Sequence, residues 1–213
     1  MRNAVGKPGI NCIVLAGGKS SRFGSNKVLQ VFGRQNLLQR VLVRVNCLVS
    51  AITIVGADEP VDLGVRDFPK VKVIRDVYPG RGPLGGIHAG LLASSYDHNL
   101  VIASDMPFLN QALLKHMIGL SAGFDLAIPR LGNFVEPLHA IYSRRCLESI
   151  EVLIKQDNLS MLRLLPLVNV RYIEAEDIRR FDPRRLSFFN VNTKSDLVRA
   201  MSLAGRNTVA LDS

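Results

Sequence analysis

The stretch NCIVLAGG, at residues 11–18, decides how this chain is expected to fold. The apolar run from Asn11 to Ala16 has the length of a buried strand, and two glycines end it in a turn. Leucines and valines then recur at helical spacing over residues 37–48, and a second apolar run spans residues 51–55. This order of strand, helix and strand predicts a βαβ unit.

The alternation of short apolar runs and amphipathic stretches continues along the chain. Further strands are expected at 71–74, 100–103, 125–128, 138–142 and 170–173, and helices at 82–93, 110–120, 144–154 and 195–203. Strand direction is expected to be mixed in the second half, which is less regular. The pattern predicts a three-layer, Rossmann-like α/β fold with a mostly parallel central sheet.

Length and composition limit the protein classes to consider. A chain of 213 residues that is 47% hydrophobic can bury one substantial core, so we predict a single domain over 1–213 with flexible ends at 1–9 and 206–213. The three cysteines lack zinc or disulfide spacing, which favours a reducing cytoplasm. The N-terminal apolar run is too short for a signal peptide or a membrane span.

The net charge of +9 favours anionic partners. Basic pairs such as Arg144-Arg145 are not interleaved with aromatic residues on a recognisable face, so a solvated surface is expected rather than a nucleic-acid interface. We therefore predict small phosphorylated partners, and neither a nucleic acid nor a membrane.

A glycine-rich loop with fixed cations follows the first predicted strand. The run LAGGKSSRFGSNK, at residues 15–27, contains three glycines through which backbone N–H groups can approach a phosphate, and Arg22 and Lys27 can neutralise its charge. The loop has neither the Gly-Lys-Ser/Thr ending of a Walker A motif nor the GxGxxG order of a dinucleotide site. The alternative is a tight turn with solvated cations.

Two carboxylates follow predicted strands. Asp105 comes directly after a buried strand, at the edge of an α/β sheet where ligands collect, and one carboxylate can hold Mg²⁺ when phosphate oxygens complete the coordination. The alternative for Asp105 is a cap on the helix after Pro107. Asp76 closes another strand before a Pro/Gly turn, and it either faces a nucleotide or simply starts that turn.

Two asparagines near the carboxyl end alternate with a valine. In the sequence NVNT, Asn190 and Asn192 would share one face of a strand, where their amides could bind a pterin, a phosphate or the metal shell. Thr193 is a favourable N-cap for the last helix. Ordinary turn asparagines are the alternative.

The loop pattern L-A-G-G-x-S-x-R-x-G-x-x-K, at 15–27, resembles the N-terminal loop of the molybdenum cofactor guanylyltransferase family, within the NTP-dependent nucleotidyltransferases. Three later elements resemble family motifs in the same order: Asp76 with the GPLGG turn at 82–86, the DMP of 105–107, and NVNTKSDL at 190–197. The resemblance implies a fold of the nucleotide-diphospho-sugar-transferase type.

Site residues follow from the resemblance by position. The nucleotide-binding residues it implies are Leu15, Ala16, Gly17, Gly18, Arg22, Gly24, Lys27, Asp76 and Asp105. Asp105 would hold Mg²⁺, and Asp105, Lys27 and Arg22 would be the catalytic residues. The segment EPLHAIY, at 136–142, resembles a segment lining the acceptor side, so the expected acceptor-binding residues are Asn190, Asn192, Pro137 and His139. Glu136 stands where the family often has a neutral or basic side chain, which leaves the acceptor open.

The activity implied by the resemblance is transfer of GMP from GTP to the phosphate of molybdopterin (Mo-molybdopterin), with release of pyrophosphate. Transient contacts with other molybdenum cofactor biosynthesis proteins or molybdoenzymes are expected. One alternative is a CTP-dependent nucleotidyltransferase acting on a pterin or a sugar or alcohol phosphate. The other is a non-catalytic cofactor carrier.

Overall fold

The computed structural model describes residues 9–17, 30–33, 35–56 and 63–209. The ends at 1–8 and 210–213, included in the predicted flexible segments, lie outside these ranges. The strands are β1 (Asn11–Leu15), β2 (Val31–Phe32), β3 (Gln35–Asn36), β4 (Ala51–Gly56), β5 (Val71–Arg75), β6 (His98–Ala103), β7 (Leu126–Leu131), β8 (Phe134–Val135), β9 (His139–Ser143) and β10 (Val170–Ile173). The α-helices are α1 (Leu37–Val45), α2 (Gly82–Ala93), α3 (Gln111–Leu120), α4 (Cys146–Lys155), α5 (Ala175–Phe181) and α6 (Lys194–Val209).

The central sheet has the strand order β10-β7-β9-β6-β1-β4-β5, and β8 pairs with β7 outside this path. Strand β1 lies parallel to both β4 and β6, β4 is parallel to β5, and β10 is parallel to β7. Strand β9 is antiparallel to its neighbours β6 and β7, and the short β8 is antiparallel to β7. The predictions of a mostly parallel sheet and of mixed direction in the second half are confirmed.

Helices cover both faces of the sheet. Because side chains alternate along a strand, Cys12 and Val14 of β1 pack in the same core as apolar residues of α1 and α3, whereas Ile13 packs in a second core with residues of α2 and α4. The three-layer architecture predicted from the sequence is therefore confirmed.

Helix α1 shows how local sequence fixes an element. Asn36 is its N-cap and accepts from the Gln39 N–H at 2.7 Å, while the Gln39 side chain accepts from the Asn36 N–H at 3.0 Å. These reciprocal bonds form a capping box. Most of the apolar stripe predicted from the helical spacing is buried in α1, whereas Leu48 lies beyond the end of the helix and is half-buried. The buried members are Leu37, Leu38, Val41, Leu42 and Val45.

Helix α2 approaches β1 closely through two glycines. A Cβ on Gly90 would lie 2.5 Å from the Ile13 Cγ2, and one on Gly86 would lie 3.0 Å from a Leu15 methyl carbon. Larger residues would push the helix off the strand, since packed interiors leave no room for added atoms. This contact holds the N-terminus of α2 beside the end of β1.

Several short elements were not predicted. The two-residue strands β2 and β3 form a separate antiparallel hairpin, and α5 follows β10. The hairpin residue Phe32 packs with Val191 and Ala200, which belong to the carboxyl-terminal part of the chain. None of the helices in the described ranges has the length and apolar surface that a bilayer-spanning segment needs.

Candidate active site

The carboxyl ends of β1, β4, β5 and β6 lie at one edge of the sheet, and the predicted nucleotide-binding residues follow these ends. Leu15 closes β1, and Ala16 and Gly17 continue the chain. The Ala16 N–H donates to the Val55 carbonyl at 2.9 Å, and the Ser104 N–H donates to the Leu15 carbonyl at 3.1 Å. The start of the glycine-rich loop is therefore fixed between the ends of β4 and β6, where ligands collect in open α/β sheets.

The rest of the loop lies outside the described residues. Gly18, Arg22, Gly24 and Lys27 belong to that part of the chain. Their assignment to nucleotide binding and catalysis stays a prediction.

Asp105 is two residues beyond β6, beside the start of the glycine-rich loop. Its carbonyl accepts a hydrogen bond from the Val191 N–H at 2.9 Å, and its Oδ1 atom is shielded from solvent. The cap of α3 is Asn110, whose side-chain oxygen accepts from the Leu113 N–H at 2.9 Å. The alternative in which Asp105 caps that helix is therefore wrong.

Asp76 faces the first turn of α2. Its Oδ1 accepts from the Tyr78 N–H at 2.9 Å, which makes the turn expected for an aspartate before a Pro/Gly segment. A Cβ on Gly85 would lie 3.2 Å from either carboxylate oxygen, so the glycine admits Asp76 against the helix. The turn-forming role is present in the structure, and binding of a nucleotide by Asp76 stays a prediction.

Residues 182–193 form the α5–α6 connection, which brings the two predicted acceptor asparagines to the site. The expectation of a strand over Asn190 and Asn192 is wrong, because residues 189–192 form irregular backbone and not a strand, although the Val191 N–H bonds to the Asp105 carbonyl. Val191 is nevertheless buried between a half-buried Asn190 and an exposed Asn192, as their alternation predicts.

Thr193 is the N-cap of α6, as predicted. Its hydroxyl accepts from the Asp196 N–H at 3.1 Å, and the Asp196 carboxylate accepts from the Thr193 N–H at 2.8 Å. The same carboxylate accepts from the Asn192 N–H at 3.0 Å, so the cap also fixes the backbone of the predicted acceptor residue. This is the reciprocal arrangement of a capping box.

The 136–139 segment lies at the same sheet edge, because antiparallel β9 begins there. The Leu138 carbonyl accepts from the Ala103 N–H at 3.2 Å, and the Pro137 carbonyl accepts from the Tyr142 hydroxyl at 2.9 Å. Glu136 is half-buried, and its burial raises the pKa of the carboxyl group. Glu136 thus belongs to a segment that lies beside the end of β6.

His139 is fully buried beneath the α5–α6 connection. Its ring is 4.8 Å from the Phe188 ring, and neither ring nitrogen has a hydrogen-bond partner among the described residues. Burial lowers the pKa of His139 to about 4, so the ring is neutral near pH 7. The ring is closed off from solvent, and direct contact between an acceptor and His139 stays a prediction.

The residues that fix the α5–α6 connection were missed at the sequence level. Asp182 and Ser187 are buried polar residues that bond to the backbone of the connection and to the N-terminus of α3. The only local signal was Asp182-Pro183, a common way to begin a turn. Their partners are distant in sequence, so their roles depend on the tertiary fold.

The chemistry of Asp105 suits Mg²⁺. Within the described ranges, no group of three or more His, Cys, Asp and Glu side chains could hold an ion. Mg²⁺ commonly binds through one or two carboxylates and completes its shell with water and substrate phosphates. A carboxylate beside a candidate phosphate loop fits that mode, so Asp105 is a residue that could hold the ion.

Comparison with known structures identifies the class. A CMP:2-keto-3-deoxy-manno-octonic acid synthetase complexed with CTP has a TM-score of 0.71 and 15% identity, covering 93% of this chain and 99% of that one. At this identity the likeness shows the fold alone, which is the nucleotide-diphospho-sugar-transferase type seen in nucleotidyltransferases. The MobA-like NTP transferase domain matches residues 12–169.

Closer relatives give the family. A probable molybdenum cofactor guanylyltransferase from Pelotomaculum thermopropionicum is 38% identical, covering 90% of this chain and 92% of that protein. A molybdenum cofactor guanylyltransferase from Desulfosudis oleivorans is 37% identical, over 88% and 92%. The crystal structure of molybdopterin-guanine dinucleotide biosynthesis protein A from Archaeoglobus fulgidus has a TM-score of 0.79 and 32% identity, over 92% and 99%. The chain belongs to the molybdenum cofactor guanylyltransferase family, within the MobA-like NTP transferases, as its motifs predict.

Proposed function

We propose that this enzyme transfers GMP from GTP to the phosphate of molybdopterin, releasing pyrophosphate and forming the guanine dinucleotide cofactor. The single observation that carries the proposal is the position of Asp105. Asp105 follows Ser104, whose N–H bonds to Leu15 at the start of the glycine-rich loop, and its own backbone carbonyl accepts from Val191 in the α5–α6 connection. A metal-binding group at this point serves a reaction between two phosphorylated molecules.

The site divides into two halves on either side of Asp105. The nucleotide half consists of the ends of β1, β4 and β5 with the N-terminus of α2. The acceptor half consists of the 136–139 segment and the α5–α6 connection. Strand β6, which leads to Asp105, lies between β1 and β9 in the sheet. We assign GTP to the first half and molybdopterin to the second.

The residues of the site have to bring together and align two anions, the triphosphate of GTP and the phosphate of molybdopterin. The acceptor phosphate is ionised near neutral pH, so it needs no general base, and buried His139 is poorly placed to act as one. Asp105 would hold Mg²⁺, which when bound supplies positive charge against the phosphates. We assign the same task to Lys27 and Arg22, and we assign contacts with the triphosphate to the Gly17 and Gly18 N–H groups.

We also propose a cytoplasmic location. Cys12, Cys47 and Cys146 are free thiols, which is the usual state in a reducing compartment. Burial is the main cause that raises the pKa of Cys12 well above its usual value and that of Cys146 to about 12, so these two thiols stay protonated and unreactive.

A pyrophosphate-release assay tests the proposed reaction. The purified protein is given Mg²⁺, molybdopterin and either GTP or CTP, and the product is checked for the guanine dinucleotide. We expect turnover with GTP that requires the acceptor. Turnover with CTP and molybdopterin, but not with GTP and molybdopterin, would favour a cytidylyltransferase. Release of no pyrophosphate from either nucleotide would favour a non-catalytic carrier.

A matched pair of variants tests the role of Asp105. Asp105→Asn should lower kcat by at least about a hundredfold, because the neutral amide is a poor Mg²⁺ ligand. Asp97→Asn makes the same change at an exposed residue just before β6, at the far end of that strand, and should leave kcat unchanged. Equal rates for the two variants would remove Asp105 from the mechanism.

A further inference from the structure

The α5–α6 connection contacts the site through its backbone and through an aromatic ring. Its Val191 N–H donates to the Asp105 carbonyl at 2.9 Å, and its Phe188 ring packs 4.8 Å from the His139 ring. Asn190 and Asn192 flank Val191. The position of both asparagines therefore depends on whatever holds this connection in place.

Asp182 holds the first part of the connection. Its Oδ1 accepts from the Leu186 N–H at 3.0 Å, and its Oδ2 accepts from the Ser187 N–H at 2.7 Å. Asp182 is only 6% exposed, so both bonds are shielded from water. Hydrogen bonds to a shielded carboxylate are among the stronger ones in proteins.

The backbone of the connection also shows that it is held firmly. Arg185, between Asp182 and the short 3-10 helix Leu186–Phe188, has a φ of 54°. Residues other than glycine adopt this left-handed conformation only at a cost in conformational free energy, so the surrounding contacts have to stabilise it. The two bonds to Asp182 close the turn that contains Arg185.

Asn110 ties the same turn to the body of the protein. Its N–H donates to the Ser187 Oγ at 3.0 Å, and its Nδ2 donates to the Phe181 carbonyl at 2.8 Å. Its other side-chain polar atom, Oδ1, caps α3. Helix α3 follows the Asp105 loop directly, so Asn110 links the connection to the element that carries the proposed metal ligand.

We infer that Asp182, acting with Ser187 and Asn110, is a positioning residue for the acceptor: it sets the place of Asn190 and Asn192 relative to Asp105. The inference rests on the proposed function, since it takes this side of the site to bind the acceptor. Asp182 itself is buried and does not touch substrate. Its effect is transmitted through the backbone of residues 186–192.

A purely structural role would give a different result from a positioning role. If Asp182 only stabilised the fold, its substitution would lower the melting temperature while the active fraction kept normal kinetic constants. If it positions the connection, the acceptor half is disturbed and the nucleotide half is not. The KM for the acceptor should then rise while the KM for GTP stays constant.

Three variants make the test specific. Asp182→Asn keeps the shape of the side chain but replaces one accepting oxygen with an NH₂ group that faces a backbone N–H. Ser187→Ala removes the oxygen that Asn110 bonds, at a residue that is 0% exposed. Asp177→Asn is the matched control: it makes the same change on α5, at a carboxylate whose neighbour is the His116 ring, 3.6 Å away, and not the connection.

The first readout is the pair of KM values in the pyrophosphate-release assay. We expect Asp182→Asn to raise the KM for molybdopterin by about tenfold or more, the effect of losing a bond to a charged group. Ser187→Ala should raise it less, and both should keep the KM for GTP within about twofold of wild type. Equal rises in both KM values, or no rise in either, would overturn the inference.

The second readout does not require activity. Amide hydrogen exchange of a peptide covering residues 183–193 should be faster in Asp182→Asn than in wild type or Asp177→Asn, while peptides from β6 keep their protection. Unchanged exchange in that peptide would overturn the inference. A wild-type protein that transfers no GMP would instead contradict the proposed function, and the exchange data would still decide whether Asp182 holds the connection.

Discussion

The two halves of the site are built by different means. In the nucleotide half, Leu15 and Ala16 are fixed by backbone bonds to Ser104 and Val55 at the ends of neighbouring strands, and Gly86 and Gly90 allow α2 to pack closely against β1. In the acceptor half, irregular backbone is held by polar side chains such as the buried Asp182 and the half-buried Asn110. The first half is part of the regular α/β architecture, whereas the second depends on a few specific hydrogen bonds. We therefore expect the two halves to fail independently when mutated.

The largest expected effect on stability concerns His139, beneath the acceptor half. Burial lowers its pKa to about 4, below the 6.5 of an exposed imidazole, although the Asp182 charge acts in the opposite direction. The unfolded chain therefore takes up a proton that the folded protein excludes. The free energy of unfolding is therefore unaffected by the titration of His139 above about pH 6.5. It falls as the pH drops from about 6.5 towards 4, by roughly 3 kcal/mol in total.

Urea unfolding at several pH values between 7.5 and 4 checks this prediction. His139→Leu cannot take up the proton, so its free energy of unfolding should fall less than that of wild type over this range. Carboxylates titrate in both proteins, and their contribution cancels in the difference. The same pH dependence in both proteins would contradict a buried, neutral His139.

The next effect tests the packing of the nucleotide half. Gly90→Ala should destabilise the protein by about 1–3 kcal/mol, because the new methyl group would meet Ile13. Gly119→Ala, within α3, is the matched control: its methyl group would have no neighbour within 4 Å. The control should be stabilised by about 0.5–1 kcal/mol through its higher helix propensity. Denaturation midpoints that shift in the same direction would show that α2 is not tightly packed on β1.

The smallest effect concerns the end of the α5–α6 connection. Thr193→Ala removes the cap of α6 and should cost about 1 kcal/mol of stability. Ser195→Ala changes an exposed residue in the first turn of α6 and should cost less than about 0.5 kcal/mol. Thermal unfolding of the two variants makes the comparison, and equal melting temperatures would remove Thr193 as a stabilising cap.

The sequence was most informative where structure depends on local periodicity. Helix α1 could be predicted from its apolar spacing because one face of the helix is buried. Strand β1 could be predicted from its apolar run because both of its faces are buried. The hairpin of β2 and β3 was not predictable, because two-residue strands have no period and Phe32 is buried by contacts with Val191 and Ala200. The short helix α5 was also missed, because a helix in which Ile178 is the only buried residue has no apolar period.

The candidate site divides in the same way. Asp105 and the start of the glycine-rich loop could be placed because the end of a parallel strand defines the sheet edge. The strand expected over Asn190 and Asn192 was wrong, because alternation of polar and apolar residues shows which side chains are buried but not which backbone groups pair. The roles of Asp182 and Ser187 were hidden, since Asn110, which bonds Ser187, is 77 residues away in sequence.

The central claim is that a GTP-binding half works independently of an acceptor half. A thermal-shift series tests it most directly: wild type and Asp182→Asn are each heated with Mg²⁺ and GTP, CTP, ATP or UTP, since a bound ligand stabilises the native state. We predict selective stabilisation by GTP, of the same size in both proteins. A preference for CTP, no shift with any nucleotide, or loss of the GTP shift in Asp182→Asn would contradict the claim.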